Sequence, residues 1–299
     1  MIINLIGVPI NYGCDKEGAQ YGPDKLREFG IVNALENNKN KVYDIGNINV
    51  PIYPSEMKYK WHEKMKYLNP VIDININLAH SVYCSLMGNC FPIVMGGDHS
   101  LGMGSIAGAS KYFKELAVIW VDAHGDINDS ESSPTGNIHG MPLATSLGIG
   151  HNLATDLYYE GIKIKPENVY IVGARDLDKG EIDLADRMNI NLYTMQTIKQ
   201  RGLDIILQEI IDNIKASKVD GVHLSFDIDV LDSSLVPGTG TRVIGGFNLE
   251  ETKNVLNQIF NSRLITSMDF VELNPIIDDL DESTAKICMD LLIHISTLL

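Results

Sequence analysis

The chain has 299 residues, of which 44% are hydrophobic and 21% are charged, and this composition is that of an ordinary globular protein. Its formal net charge of −15 argues against an extended surface for nucleic-acid phosphates or anionic lipids. The opening MIINLIGVPI lacks the basic region of a secretory signal, and no run of about 20 apolar residues follows it. We therefore expect a cytoplasmic protein that binds neither nucleic acid nor membrane.

Eight short apolar runs, read in chain order, are typical of buried strands. They are IINLIGV, KVYDIG, FPIVMGG, LAVIWVDA, NVYIVGA, INLYT, GVHLSFDID and LITSMDFVE. Stretches with helical spacing separate these runs, and no linker or internal repeat divides the chain. This alternation predicts an α/β fold: one three-layer domain over residues 1–299, with a mostly parallel, eight-stranded sheet and helices on both faces.

Several helices carry recognisable start signals. Pro23 opens PDKLREF, where its missing N–H is not needed. Asn248 and Glu251 form the pattern of a capping box before LEETKNVLNQIF. The stretch GLDIILQEIIDNIKAS has the apolar spacing of one buried helix face. The polar stretches NDSESSPTGN and PIIDDLDES are predicted to be loops.

The third apolar run ends in a glycine-rich turn that carries a histidine. Gly96 and Gly97 allow a sharp backbone turn, and we expect Ser100 to cap the helix that follows. In a parallel sheet, ligands bind beyond the carboxyl ends of the strands, which is where His99 then lies.

The fourth run ends in Asp122, His124 and Asp126. In an extended chain the i, i+2, i+4 spacing sends these three side chains to the same side. Carboxylates that converge at a strand end repel each other unless a cation neutralises them. This motif therefore indicates a metal site.

Asp227 and Asp229 follow the seventh run with the same i, i+2 spacing. Four carboxylates and two imidazoles exceed the needs of one tetrahedral zinc ion and suit two bridged divalent cations. Oxygen ligands with some imidazole favour Mn²⁺, with Co²⁺, Fe²⁺ or Ni²⁺ as possible substitutes. The predicted ligands are His99, Asp122, His124, Asp126, Asp227 and Asp229.

Motifs along nearly the whole chain resemble those of the arginase and agmatinase (ureohydrolase) family. They are GAQYGPDKLR, GGDHS, DAHGDIN, SPTGNIHGMP, SFDIDVLD, PGTGT and FVELNP. The resemblance implies an eight-stranded parallel sheet, a pair of Mn²⁺ ions, and hydrolysis of a guanidinium compound to urea and an amine. It places the metal ligands on the same six residues and implies a homo-oligomer, usually a trimer or a hexamer.

The resemblance also implies catalytic roles. Two cations that share one water lower its pKa and supply a metal-bridging hydroxide, which would attack the guanidinium carbon. His139 matches the family's proton-shuttling histidine, and Glu272 matches the carboxylate that holds the guanidinium group. Asp126 joins them in the catalytic set as a metal ligand.

A polar loop matches the positions with which the family reads the amino-acid end of its substrate. Neutral hydroxyl and amide groups suit a carboxylate, and Asp178 suits an ammonium group, so the set favours L-arginine, which would yield L-ornithine and urea. Thr241 matches a further position on the substrate side. The expected substrate-binding residues are Asn128, Ser133, Thr135, Asn137, Asp178, Glu181, Thr241 and Glu272.

Three positions depart from the family pattern. Thr135 stands where many members have Ser, and its extra methyl group could crowd the α-carboxylate. Arg242 and Ser233 stand where Pro is usual, which puts the rigidity of that loop, and packing between subunits, in doubt.

Three alternatives stay open from the sequence. The first is an agmatinase or guanidino-acid ureohydrolase, which differs only in the substrate's far end. The second is a deacetylase of related fold, which would hold one zinc ion with an Asp-His-Asp set. The third is a non-catalytic, metal-binding assembly protein.

Overall fold

Eight parallel strands form one sheet in the computed structural model, which describes residues 1–299. Strands β1 to β8 are Ile2–Val8, Lys41–Asn47, Phe91–Gly96, Leu116–Val121, Val169–Val172, Asn191–Tyr193, Gly221–Asp227 and Ser267–Val271. Their order across the sheet is β2-β1-β3-β8-β7-β4-β5-β6. All eight predicted strands are confirmed, and the sheet is parallel throughout.

The register of the four central strands brings their carboxyl ends together. Val121 of β4 pairs with Phe226 of β7, so the residues that follow them, Asp122 and Asp227, are neighbours. Asp227 in turn pairs with Val271 of β8, which precedes Glu272. Strand β3, which leads to His99, pairs with the other side of β8. The motif-bearing strands β3, β8, β7 and β4 are therefore adjacent.

Eleven α-helices connect and cover the strands. Helices α1 to α11 are Gly22–Glu28, Ile31–Asn37, Leu68–Met87, Gly102–Tyr112, Pro142–Ser146, Asn152–Thr155, Lys179–Met188, Met195–Arg201, Leu203–Ala216, Leu249–Asn261 and Ser283–Leu298. Pro23 lies in the first turn of α1, as predicted. The predicted capping box opens α10, where Asn248 and Glu251 each accept a hydrogen bond from the other's backbone N–H. None of these helices has the length and apolar character that a membrane span requires.

Side chains that alternate along the strands fill two separate cores. In β4, Ile119 and Val121 face one core, which α1, α2 and α8 to α11 cover. Val118 and Trp120 face the other, which is covered by α3 to α7. A period of two along each strand therefore gives every central strand two apolar faces, and the predicted three-layer arrangement is confirmed. The predicted loop at 128–137 contains no strand or α-helix, and the one predicted at 275–283 contains none before Ser283, where α11 begins.

The turn after β3 differs from the prediction in which residue caps it. The chain first makes a 3-10 turn at His99–Leu101, so the capping position falls on Asp98, whose carboxylate accepts from Ser100 N at 2.9 Å. The same carboxylate accepts from Gly13 N at 2.8 Å. The Ser100 hydroxyl is buried without a partner, and the expectation that it caps the helix was wrong.

Gly97 lets this turn lie directly against the chain that follows β1. A Cβ atom on Gly97 would lie 1.9 Å from Ile10 O. Gly97→Ala should therefore displace the turn and lower the free energy of unfolding by about 1–3 kcal/mol or more. Urea-induced unfolding measures this. The control is Gly88→Ala at the end of α3, where the nearest atom is 3.4 Å away, and equal losses in both variants would contradict the close approach.

Candidate active site

The His99 ring is fixed by a buried chain of hydrogen bonds beneath the carboxyl edge of the sheet. Nε2 of His99 lies 2.7 Å from Ser225 Oγ, and this hydroxyl donates to Asp269 Oδ1 at 2.5 Å. Burial raises the pKa of Asp269, but the neighbouring imidazole of His223 brings that pKa below its ordinary value. Asp269 is therefore an ionised acceptor. Because the Ser225 hydroxyl donates its only proton to Asp269, its oxygen must accept from His99 Nε2–H.

The other ring nitrogen of His99 faces three carboxylates. Nδ1 lies 3.0 Å from Asp122 Oδ2, 3.1 Å from Asp227 Oδ2 and 3.2 Å from Asp126 Oδ2. This nitrogen is buried and has no hydrogen-bond partner. With Nε2 as the donor, neutral His99 directs the Nδ1 lone pair at three oxygens, and only a cation between them makes that arrangement favourable.

A second group of ligand atoms shares Asp122 with the first. His124 Nδ1 lies 3.2 Å from Asp229 Oδ2 and 3.3 Å from Asp122 Oδ1. The two sets, His99 with Asp122 and Asp227, and Asp122 with His124 and Asp229, each have ligand atoms within 4.8 Å of one another. Because the two oxygens of Asp122 serve different sets, the donors fit two cations joined by a shared carboxylate.

The ligands converge by a different backbone route from the one predicted. Strand β4 ends at Val121, and Asp126 has a left-handed backbone with a φ of 51°. Asp227 ends β7, and Asp229 lies in the 3-10 turn that follows. The side chains meet because the chain turns at the strand ends, and the expected extended alternation over residues 122–126 was wrong. Asp126 lies outside both sets of ligand atoms but contacts His99 Nδ1.

The electrostatics of this cluster favour cations and protons alike. Burial and the nearby Asp229 and Asp122 raise the pKa of Asp227 well above its ordinary value. Burial and Asp122 raise the pKa of Asp126 to about 6. Burial lowers the pKa of His99, but contact with the carboxylates raises that pKa well above its ordinary value. Protons and metal ions therefore compete for the same atoms.

A polar cleft of about 270 Å³ opens above the cluster. That volume is at the lower limit of pockets for drug-sized molecules, and no Leu, Ile, Val, Met or aromatic hydrocarbon side chain lines it. Asp122, Asp229 and Glu272 lie outside this lining. The predicted residues that do line it are His99, His124, Asp126, Asn128, Ser133, Thr135, Asn137, His139, Asp178, Glu181, Asp227 and Thr241.

Two hydroxyl groups on one wall of the cleft are oriented by the loop backbone. Ser133 Oγ accepts from Gly136 N at 3.0 Å, and Thr135 Oγ1 accepts from Asn137 N at 3.2 Å. Each hydroxyl proton remains available to a ligand. This wall therefore offers donors, which is the chemistry that a carboxylate requires.

Other residues of the lining offer acceptors. Asn128 Nδ2 donates to Asp178 Oδ2 at 3.0 Å, which leaves the buried Oδ1 of Asn128 without a partner. Both oxygens of Glu181 accept from backbone groups, Asp178 N at 2.9 Å and Ile127 N at 3.2 Å. Glu181 thus holds this segment in place, and Asp178 presents negative charge to the cleft.

Glu272 and His139 lie beside each other where the cleft continues toward Cys14. Glu272 Oε1 accepts from His99 N at 2.9 Å and lies 3.3 Å from His139 Nδ1. Burial raises the pKa of Glu272, but the contact with His139 brings that pKa below its ordinary value. Glu272 is therefore a buried carboxylate, with Oε2 free of protein hydrogen bonds.

The loop after β7 is held by one arginine that the sequence reading did not single out. The Arg175 guanidinium group donates to the carbonyls of Asp229, Leu231 and Val243, among others. The neighbouring Thr241 hydroxyl donates to Asp229 Oδ2 at 2.9 Å. These hydrogen bonds hold the loop on both sides of the segment between Ser233 and Arg242, the two positions where the family usually has Pro.

Sequence reasoning also missed the groups that support His99. Trp120 stacks on the His99 ring with centroids 4.0 Å apart, and its Nε1 donates to Asp122 Oδ2 at 3.0 Å. Ser225 orients the ring, as described above. The signal was present in GVHLSFD, where His223, Ser225 and Asp227 place a polar side chain at every second position of an otherwise apolar strand.

Comparison with known proteins decides the family. The family model described as the arginase family matches residues 2–297. The chain belongs to the arginase family. It is 43% identical over 276 residues to the arginase of Staphylococcus aureus (strain MSSA476), an alignment that covers 92% of this chain and 91% of that one.

Solved arginase structures share the fold. The crystal structure of arginase from Bacillus subtilis superposes with a TM-score of 0.91 at 40% identity, covering 98% of this chain and 97% of that chain. The Entamoeba histolytica arginase in complex with L-ornithine gives a TM-score of 0.88 at 35% identity, covering 99% and 98%. Like its family, the chain is a metal-dependent hydrolase that acts on a guanidino carbon–nitrogen bond.

Removing one ligand of the second set should remove one cation from this arginase-family centre. Asp229→Asn should lower the divalent-metal content per chain by about one ion or more, because Asp229 belongs to that set alone. Metal analysis of the purified protein measures it, with the rate determined on the same sample. Asp186→Asn is the matched control, since that side chain is exposed on α7, outside the cleft. Full metal content in Asp229→Asn would contradict the ligand assignment.

Proposed function

We propose that this chain hydrolyses L-arginine to L-ornithine and urea, with two Mn²⁺ ions per chain, and that residues 1–299 form one metallohydrolase domain. The observation that carries the proposal is a single cleft whose lining combines cation ligands with hydroxyl donors and carboxylate acceptors. The expected assembly into a homo-oligomer, a trimer or a hexamer, stays a prediction.

The cation pair would be held by the six predicted ligands. Asp122 would serve both ions, and Asp126, which contacts His99 Nδ1 beside the first set, would join them. Carboxylate oxygens with imidazole nitrogen support Mn²⁺, and Co²⁺, Fe²⁺ or Ni²⁺ are possible substitutes. When bound, such a pair supplies Lewis acidity and lowers the pKa of water toward neutrality.

Glu272 is suited to hold the guanidinium group beside this centre. It is buried and ionised, its Oε1 is occupied by His99 N, and Oε2 has no protein donor. Gly240 leaves room there, since a Cβ atom on Gly240 would lie 3.7 Å from Oε2. A charge-assisted hydrogen bond from a guanidinium N–H to Oε2 would orient the carbon for addition of water.

His139 is suited to move the proton that the leaving amine requires. Water adds to the guanidinium carbon, the bond to the ornithine nitrogen breaks, and that nitrogen must gain a proton. His139 lines the cleft with Nδ1 against Glu272, which leaves Nε2 without a protein partner. Burial lowers the pKa of His139, but Glu272 raises it above its ordinary value, which favours the protonated ring that could donate from Nε2.

The upper part of the cleft favours an amino acid over its decarboxylated analogue. The Ser133 and Thr135 hydroxyls can donate to an α-carboxylate, and Asp178 can accept from an α-ammonium group. The similar Entamoeba histolytica arginase was solved with L-ornithine, which carries both groups. This complementarity supports arginine, whereas agmatine offers no carboxylate to the donor wall.

Urea release from L-arginine and from agmatine, measured side by side on Mn²⁺-loaded protein, tests the substrate. The value of kcat/KM should be higher for arginine by a factor of about 10² or more, because agmatine leaves the donors unpaired. Guanidino acids without an α-amino group complete the panel. Faster release from agmatine would overturn the assignment to arginine.

Replacing the histidine tests the proton-transfer role apart from metal binding. His139→Asn should lower kcat by about 10²-fold or more and leave the Mn²⁺ content unchanged. Steady-state kinetics and metal analysis on one preparation measure both quantities. The control is His151→Asn, a histidine outside the cleft. A kcat close to that of the unmodified protein would rule out the assigned role.

A further inference from the structure

A buried lysine contacts the cleft from behind its donor wall. Lys66, two residues before α3, has a side chain only 6% exposed. Its ammonium group donates to Asn137 Oδ1 at 2.7 Å and pairs with Asp15. An ammonium group is rarely this buried unless it is paired, and here its partners are one carboxylate and one amide of the substrate loop.

The pairing with Lys66 decides which end of the Asn137 amide faces the cleft. An ammonium group has donors and no acceptor, so Asn137 must turn Oδ1 toward Lys66. The Nδ2 group then points away from the lysine, and it donates to no protein atom. Because Asn137 lines the cleft, this leaves a donor for a ligand.

The backbone holds the two residues in this relation. Lys66 N donates to Gly136 O at 3.0 Å. Gly136 has a φ of 71°, and a Cβ atom there would lie 1.9 Å from Lys64 O. The segment 64–66 therefore packs closely against the loop at the residue before Asn137, and the lysine reaches the amide from a fixed position.

Asp15 keeps this cation neutralised without depending on it. Its carboxylate also pairs with Lys58, and its side chain is 43% exposed. Removal of the Lys66 charge would leave Asp15 with a second lysine and with water. A neutral residue at position 66 therefore creates no unpaired buried carboxylate, and the fold should tolerate it.

We propose that Lys66 is a specificity-determining positioning residue, which fixes the Asn137 amide so that Nδ2 is presented to the α-carboxylate of an amino-acid substrate. This inference rests on the proposed function and deepens it. Without the lysine, the amide is free to rotate and to present Oδ1, which repels a carboxylate. The residue acts on binding of the carboxylate end and touches no reacting atom.

Lys66→Met tests this role by separating KM from kcat. The KM for L-arginine should rise about tenfold, while kcat stays within about twofold, because the reacting end is undisturbed. The inhibition constant of agmatine, measured as a competitor of L-arginine, should not change, because agmatine lacks the carboxylate. Lys66→Arg should retain the arginine KM, since guanidinium N–H groups also donate to Oδ1.

Two further measurements do not depend on turnover or on one variant. The affinity of the Mn²⁺-loaded protein for L-ornithine, measured by titration calorimetry, should fall about tenfold in Lys66→Met. In an Asn137→Ala background, Lys66→Met should cause no additional change in KM. The control is Lys64→Met, whose side chain is 46% exposed and pairs only with Glu131; it should behave as the unmodified protein does.

The outcomes distinguish this inference from the proposed function. If the unmodified protein releases no urea from arginine, the proposed function fails. If it does, and Lys66→Met leaves the arginine KM unchanged, or weakens arginine and agmatine equally, the positioning role fails alone. The positioning role would also fail if Lys66→Met raised the arginine KM as much in the Asn137→Ala background as in the unmodified protein.

Discussion

The repulsion among four buried carboxylates is the constraint on which the rest of the structure depends. Asp122, Asp126, Asp227 and Asp229 share one edge of the sheet, and no lysine or arginine side chain pairs with any of their carboxylates. Such a cluster is unfavourable by itself and becomes favourable when divalent cations lie between the oxygens. Folding must therefore hold these groups close against their own charge, and the apolar packing on both faces of the sheet supplies the required free energy.

The order of the strands makes this crowding possible. Strands β3, β8, β7 and β4 are neighbours in the middle of the sheet, although β8 is last in the chain. Being parallel, they end at the same edge, and their register places Asp122, Asp227 and Glu272 on consecutive strands. A buried layer then sets the orientation of the ligands, since Asp269 accepts from Ser225, and Ser225 accepts from His99 Nε2. The reactive end of the cleft is thus built on rigid elements.

The far end of the cleft is built differently. Its donors and acceptors lie on loops, and one of these loops is fixed by a buried cation that bonds to protein groups alone. Lys66 binds Asn137 at this end, whereas Arg175 binds the carbonyls around Asp229 and Val243 and so supports the metal-ligand end. Loops can change without loss of the central sheet, so the residues that we propose bind the substrate's amino-acid end can vary while the metal ligands stay in place.

The eight strands, the three-layer class and all six candidate ligands could be predicted from the sequence, because strand periodicity and strand-end chemistry are local properties. The sequence did not determine how the ligands converge: Asp126 reaches His99 through a left-handed backbone, and Asp98, not Ser100, caps the turn. Only the tertiary structure decided which nitrogen of His99 is free and which end of Asn137 faces the cleft. Both depend on hydrogen bonds to residues 126 and 71 positions away in the chain, Ser225 and Lys66, and such long-range contacts leave no local pattern in a sequence.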